Sequence, residues 1–198
     1  MIKAVLFDMD GVLIDSHDAW YYVFNEAFKK FENKSVTVEE FDAHMWAKAF
    51  DKVAKKYFSV PIEEVRDYYL SLYPEYQKRL SIMDNVGETL KKLKADGLKL
   101  AVVSNTQKNI VKKILNNVGL AKYFDIFMGG DDVENGKPEP DILYKTLDEL
   151  KLGKEDVVFI GDSIFDKLAA EKASVKFIGF KIDGDERIDD FNELSGLI

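Results

Sequence analysis

Residues 2–16 read IKAVLFDMDGVLIDS, and this stretch decides the fold. Ile2 to Phe7 is a short apolar run that lacks the strict polar alternation of a half-solvated strand, the pattern of a strand buried on both faces of a sheet. It stops abruptly at Asp8, and after Asp10 comes Gly11, which opens a turn. A strand that runs into two carboxylates and a glycine points to a loop with work to do at a strand's carboxyl end. The charges also make the run too short for a signal peptide or a membrane span, and no later stretch approaches spanning length. The expectation is a soluble, unexported, cytoplasmic chain.

Working outward, four more runs have the same character: Leu98 to Val103, Ile126 to Met128, Val157 to Ile160 and Val175 to Phe180. Between them lie helical stretches. Asp84 to Asp96 has an acidic start and stops at Gly97, Thr106 to Val118 ends at Gly119, and Asp141 to Leu150 follows a Pro-rich entry. Such alternation predicts an α/β fold, a Rossmann-like doubly wound parallel sheet with helices on both faces. One connection is too long. The crossover from Phe7 to Leu98 needs a few tens of residues at most, so something is inserted there. Residues 16–80 show helical periodicity, with Trp20, Val23, Phe24, Ala27, Phe28 and Phe31 along one stripe, and no convincing strand. The reading is a catalytic domain of residues 1–15 and 81–198 carrying a small α-helical cap of residues 16–80. Pro61 is expected to open one cap helix and Pro74 to kink or end it.

The 198 residues are 46% hydrophobic and 32% charged, enough for one sizeable core plus an accessory unit. A net charge of -8 argues against binding nucleic acid or anionic lipid by bulk electrostatics, so the expected partner is a small molecule. There are no cysteines, which excludes disulfides, thiolate catalysis and Cys-ligated zinc.

Ligands of open parallel sheets bind beyond the strands' carboxyl ends, and the polar residues there converge on one chemistry. Asp8 and Asp10 follow the first strand, Ser104 and Asn105 the second, the loop bearing Lys137 the third, and Asp162 and Asp166 the fourth. These hard oxygen donors, without thiolate or histidine, suit Mg²⁺ better than zinc. A carboxylate does not approach a phosphate dianion unaided, because like charges at about 4 Å repel by several kcal/mol at an effective dielectric of about 20. Mg²⁺ held by Asp8 and Asp162 would bridge nucleophile and phosphate, with Lys137 and the Ser104 hydroxyl taking the remaining oxygens. Asp8 would then attack in line to give an aspartyl-phosphate, and Asp10 would protonate the leaving oxygen and later activate water.

The string FDMDGVLIDS resembles the first motif of the haloacid-dehalogenase superfamily, SNT at 104–106 its second, GKPEP around Lys137 its third and GDSIFD at 161–166 its fourth. All four occur in order over almost the whole chain. The insertion directly after the first motif resembles the helical-cap subfamily that includes phosphoglycolate phosphatases and β-phosphoglucomutases. The resemblance implies a phosphoric monoester hydrolase acting on a small phosphorylated metabolite, with a cap that opens to admit substrate and closes to exclude bulk water. It implies Asp8 as nucleophile and metal ligand and Asp10 as acid/base and, through its backbone carbonyl, metal ligand. It implies phosphate contacts from Ser104, Asn105 and Lys137, and metal anchoring by Asp162 with support from Asp166. Asp10 itself disfavours carbon–halogen cleavage, since dehalogenases lack that aspartate. Trp20 stands about where the mutases carry a cap histidine, which disfavours mutase chemistry. A sugar phosphomutase and a non-catalytic receiver-like phospho-switch are the rival readings.

Taken singly, each motif has a plainer explanation. Asp-x-Asp after a strand is commonly a turn or cap, a loop lysine is commonly solvated, and Thr106 is expected to cap the helix that follows it. Asp166 is open between bracing its loop and touching the metal. His17 and His44 are expected to be surface or half-buried, Trp20 and Trp46 to pack in or beside the cap, and the acidic run Asp183 to Asp190 to be a solvated tail.

Overall fold

The computed structural model describes residues 1–48 and 50–198. Along the chain lie β1 (Ala4–Phe7), β2 (Ile14–Asp15), α1 (His17–Glu32), α2 (Val38–His44), α3 (Phe50–Tyr57), α4 (Ile62–Ser71), α5 (Tyr73–Gln77) and β3 (Ser81–Ile82). There follow α6 (Val86–Ala95), β4 (Lys99–Val103), α7 (Lys108–Asn117), β5 (Ile126–Met128), α8 (Asp141–Leu150), β6 (Val157–Gly161), α9 (Ile164–Ala173), β7 (Lys176–Phe180) and β8 (Glu186–Ile188). The chain divides into two compact units, one of Met1–Ile14 with Ile82–Ile198 and one of Asp15–Ser81.

The first unit is built on a six-stranded sheet of order β5-β4-β1-β6-β7-β8, parallel at every pairing. β1 lies inside it, with Phe7 beside Val102 on one side and Ile160 on the other. The chain moves outward from β1 through β4 to β5, then crosses back to β6 on the opposite side. That reversal puts the topological switch point, and so the crevice of the sheet, at the carboxyl end of β1. All four residues of β1 are buried, which requires cover on both faces. Leu6, Val103, Met128 and Phe159 pack with Ile142 and Leu143 of α8 and Ala169 and Ala173 of α9. The alternate residue Phe7 stacks on Phe191 at 6.4 Å and meets Phe124 edge-on at 6.0 Å. Each of Leu6 and Phe7 contributes about 1.5–3 kcal/mol by burial, so a charge at either position would break the layer. The expected α/β fold with helices on both faces is therefore present.

Strand β8 corrects the reading of residues 183–190 as a solvated tail. Of Glu186, Arg187 and Ile188 only Ile188 is buried, so a single apolar residue was too little signal. The return from β7 to β8 is unusually short for a parallel pair, which commonly needs a dozen residues or more. Residues 181–185 lie so close to β7 that a Cβ on Gly179 would sit 2.1 Å from the Ile182 carbonyl oxygen. Asp185 fastens the return by accepting the Phe177 N–H at 2.8 Å.

The second unit is helical. The α1 stripe of Ala19, Val23, Phe24, Ala27 and Phe28 is buried, and Asn33 ends the helix in the left-handed conformation that asparagine tolerates. Thr37 and Glu40 form a reciprocal capping box on α2. Phe28, Phe41, Val53, Phe58 and Val65 complete its core. Pro61 is the residue before α4, as expected. Pro74 does not end that helix: α4 stops at Ser71 and Pro74 sits in the first turn of α5, where a missing N–H costs nothing. No described helix is long and apolar enough to cross a membrane.

Candidate active site

Four loops at the carboxyl ends of β1, β4, β5 and β6 carry the chemistry-bearing residues, all within the first unit. The Asp8 N–H donates to the Ile160 carbonyl at 2.9 Å, which continues the sheet one residue past β1 and fixes where its side chain starts. Asp8 is only 8% exposed, and its carboxylate accepts the Met9 N–H at 2.7 Å. The turn that follows depends on Gly11, whose φ is +80° and whose N–H donates to the Ile14 carbonyl at 2.8 Å. A Cβ there would meet Asp162 Oδ2 at 2.0 Å, so the first and last loops touch at a position only glycine can fill.

Lys137 is not a solvated loop lysine. It is 4% exposed, and its ammonium lies 2.9 Å from Asp8 Oδ1 and 2.5 Å from Asp166 Oδ1 and donates to the Val103 carbonyl at 3.1 Å. Asp166 is completely buried and occupies the third position of α9. There it closes a capping box with Ser163, whose N–H donates to Asp166 Oδ2 at 3.1 Å and whose hydroxyl also bonds that oxygen. Of the two roles left open for Asp166, bracing the loop is seen in this capping box, and its carboxylate also belongs to an acidic cluster.

One carboxylate oxygen from each of Asp8, Asp162 and Asp166 lies within 4.8 Å of the others. The Asp10 carboxylate is not in that group. Three clustered carboxylates, two buried and one half-buried, against one touching ammonium leave an excess of negative charge. Burial raises the Asp8 pKa well above the usual carboxylate range; Lys137 opposes the rise, and Asp166, Asp162 and Asp10 add to it. Asp162 is pushed up to about 7, first by burial and then by Asp166. Burial would depress the Lys137 ammonium, but Asp166 and Asp8 outweigh it and its pKa rises. A divalent cation with a preference for oxygen fits this cluster, because it would supply the missing positive charge.

Ser104 and Asn105 sit beside the cluster's lysine. The Ser104 N–H donates to Met128 at 3.0 Å and its hydroxyl oxygen accepts the Thr106 N–H at 3.1 Å, an ST turn that leaves the hydroxyl proton to donate elsewhere. Asn105 Nδ2 donates to the Lys137 carbonyl at 3.0 Å, while its buried Oδ1 has no hydrogen-bond partner among the described residues. Thr106 departs from expectation. Gln107, not Thr106, precedes α7, and no side chain caps that helix. The Thr106 hydroxyl reaches Asp10 Oδ2 at 3.2 Å. Sequence reasoning missed this contact and did not name Ser163 as the partner in the bracing role open for Asp166, although Ser163 three residues before Asp166 is a legible capping signal.

In the second unit, His17 bonds Asp42 at 2.6 Å and sits edge-on to Phe41 and Trp46, while His44 lies exposed in the last turn of α2. Trp20 packs among Phe24, Tyr69 and Tyr76.

Comparison with known proteins places these features in context. Residues 5–180 match the haloacid dehalogenase-like hydrolase family. The phosphoglycolate phosphatase of Aquifex aeolicus is 34% identical over 179 residues, covering 88% of this chain and 83% of its own. The pyrophosphatase PpaX of Halalkalibacterium halodurans is 30% identical over 194 residues, covering 96% and 90%. The crystal structure of a HAD-superfamily hydrolase of subfamily IA, variant 1, from Geobacter sulfurreducens superposes with a TM-score of 0.76 at 27% identity, over 99% of this chain and 96% of that one.

Proposed function

The chain belongs to the haloacid dehalogenase-like hydrolases, and from that premise we propose that it is a Mg²⁺-dependent phosphatase that cleaves a small phosphomonoester through a phosphorylated Asp8. The observation that carries the reading is the cluster of buried Asp8 and Asp166 with half-buried Asp162, joined to Lys137 at the sheet's switch point. Asp8, Asp162 and Asp166, with the Asp10 main-chain carbonyl, would hold the metal; when bound, Mg²⁺ supplies the positive charge that keeps Asp8 ionised and screens it from a phosphate dianion.

The rest follows from the chain's own groups. Lys137, already 2.9 Å from Asp8, and the Ser104 hydroxyl donate to the phosphoryl oxygens as negative charge shifts onto them. An Asp8 oxygen attacks phosphorus, the ester P–O bond breaks, and Asp10 gives its proton to the leaving oxygen. Asp10, now ionised, takes a proton from water as that water's oxygen attacks phosphorus, which frees Asp8 and inorganic phosphate. The buried Asn105 Oδ1, beside Lys137, stands as an acceptor for a protonated phosphate oxygen or a bound water. The helical unit of Asp15–Ser81 is assigned the choice of leaving group, as expected of a cap inserted after the first motif.

The test is phosphate release from phosphoglycolate, inorganic pyrophosphate, sugar phosphates, nucleotides and p-nitrophenyl phosphate, with Mg²⁺ or EDTA, for wild type and Asp8→Asn. Release should require Mg²⁺ and fall by at least about a thousandfold in Asp8→Asn. Undiminished release by Asp8→Asn would remove the nucleophile. Conversion of one glucose phosphate to another without free phosphate would favour a mutase, and a phosphorylated chain that never turns over a receiver-like switch.

A further inference from the structure

We propose that Thr106 is a positioning residue that fixes the orientation of the Asp10 carboxyl for proton transfer to the leaving group. The inference rests on the phosphatase reading and deepens it. Thr106 Oγ1 lies 3.2 Å from Asp10 Oδ2, tying the turn after β4 to the turn after β1. Its helix-capping role is vacant, since Gln107 precedes α7 and no side chain caps that helix.

Thr106 is itself held on two sides. Its N–H donates to Ser104 Oγ at 3.1 Å and its carbonyl accepts the Gly130 N–H at 3.0 Å. Gly130 is a close approach: a Cβ there would sit 2.4 Å from the Asn105 carbonyl oxygen. The hydroxyl therefore projects from a fixed stretch of backbone, and threonine's branched side chain adds stiffness at χ1. Asp10 stands instead on a half-exposed turn whose next residue is in the left-handed region. A carboxylate there turns on two rotatable bonds, and a hydrogen bond from a fixed partner narrows its rotamers. The Thr106 hydroxyl engages Oδ2 and so restricts the side-chain torsions through which Asp10 presents its carboxyl. A proton donor misplaced by an ångström loses much of its effect, because transfer needs hydrogen-bond reach.

The experiment compares kcat/KM for wild type, Thr106→Val and Thr106→Ser on two substrates: the alkyl phosphate turned over fastest in the panel above, and p-nitrophenyl phosphate. Because kcat/KM reports steps up to formation of the phosphorylated enzyme, it isolates leaving-group protonation. An alkoxide needs a proton to leave and a nitrophenolate does not. The expected result is a loss of about 10- to 100-fold on the alkyl phosphate and under about threefold on p-nitrophenyl phosphate for Thr106→Val, with Thr106→Ser within about threefold of wild type on both. Equal losses on the two substrates, no loss on the alkyl phosphate, or a serine variant as impaired as valine would overturn the proposal. Thermal melts of both variants show whether valine has simply unfolded the site, in which case the serine-to-wild-type comparison with Thr106→Ala decides by the same criterion. Should these outcomes go against Thr106 while Asp8→Asn is inactive, only the positioning role falls; an active Asp8→Asn removes the phosphatase reading itself.

Discussion

Replacing Lys137 with methionine should weaken the metal-free protein, strengthen its hold on Mg²⁺ and nearly abolish turnover. Methionine keeps much of the apolar stem and removes the ammonium, which lies 2.9 Å from Asp8 and 2.5 Å from Asp166 at a site with only 3% side-chain exposure. At 2.9 Å and an effective dielectric of about 20 the attraction to Asp8 alone is about 6 kcal/mol before desolvation is subtracted. Breaking a buried pair by removing one partner costs about 3–5 kcal/mol net, because a buried charge is left unmatched. Here Asp8 and Asp166 would be left facing Asp162 with no cation between them. Urea unfolding in EDTA near pH 8 should show that loss. The gap should narrow as pH falls, since carboxylates deprived of their ammonium take up protons readily. By linkage, a more negative cluster binds Mg²⁺ more tightly, so the Mg²⁺-dependent gain in stability should be larger in the variant. Turnover should fall by about a hundred- to a thousandfold, the usual cost of losing one preorganised donor to a developing negative charge. Unchanged stability in EDTA, or weaker Mg²⁺ binding in the variant, would refute the reasoning.

Gly11→Ala places a Cβ 2.0 Å from Asp162 Oδ2 at a φ of +80°, so it should cost at least about 1–2 kcal/mol and lower Mg²⁺ affinity, measured by titration calorimetry. Asp162 is raised to about 7 when no metal is bound, so its neutral form stabilises the fold below the usual carboxylate range and that stability is lost as pH rises through about 7. Mg²⁺ requires the ionised form, so the Mg²⁺-induced rise in Tm should grow between about pH 5 and about pH 8; a rise that shrank would contradict the assignment. In the helical unit the buried Tyr69 hydroxyl has no hydrogen-bond partner among the described residues, and burial raises its pKa well above the ordinary value. Tyr69→Phe should therefore leave stability unchanged or raise it by about 1 kcal/mol in urea unfolding.

The parallel sheet was legible because strands buried on both faces must be apolar throughout, and five runs met that demand to within two residues at their ends. β8 was not, because an edge strand that buries only Ile188 carries no such pattern. The residues at the strand ends were legible for a similar reason: topology places the ends of parallel strands together, whatever their separation in sequence. What those side chains touch was not legible. A serine or threonine after a strand reads as a helix cap because the signal records only residue type, and the Thr106–Asp10 bond joins groups 96 residues apart. Lys137 taken alone reads as a solvated loop residue, and only its place in GKPEP marks it as a phosphate contact; that Asp166 and Asp8 lie within 3 Å of it has no local sign in the sequence. Sequence likewise gives no direction for the Asp8 and Asp162 pKa shifts, since these arise from burial against neighbours that only the fold supplies.

Acid quenching during turnover, followed by peptide mapping in a mass spectrometer, tests the chemistry most directly. One phosphoryl group is expected on the peptide that contains Asp8, formed fast enough to lie on the reaction path and missing from Asp8→Asn. A phosphoryl group on any other side chain, or full turnover with none on the protein, would contradict it.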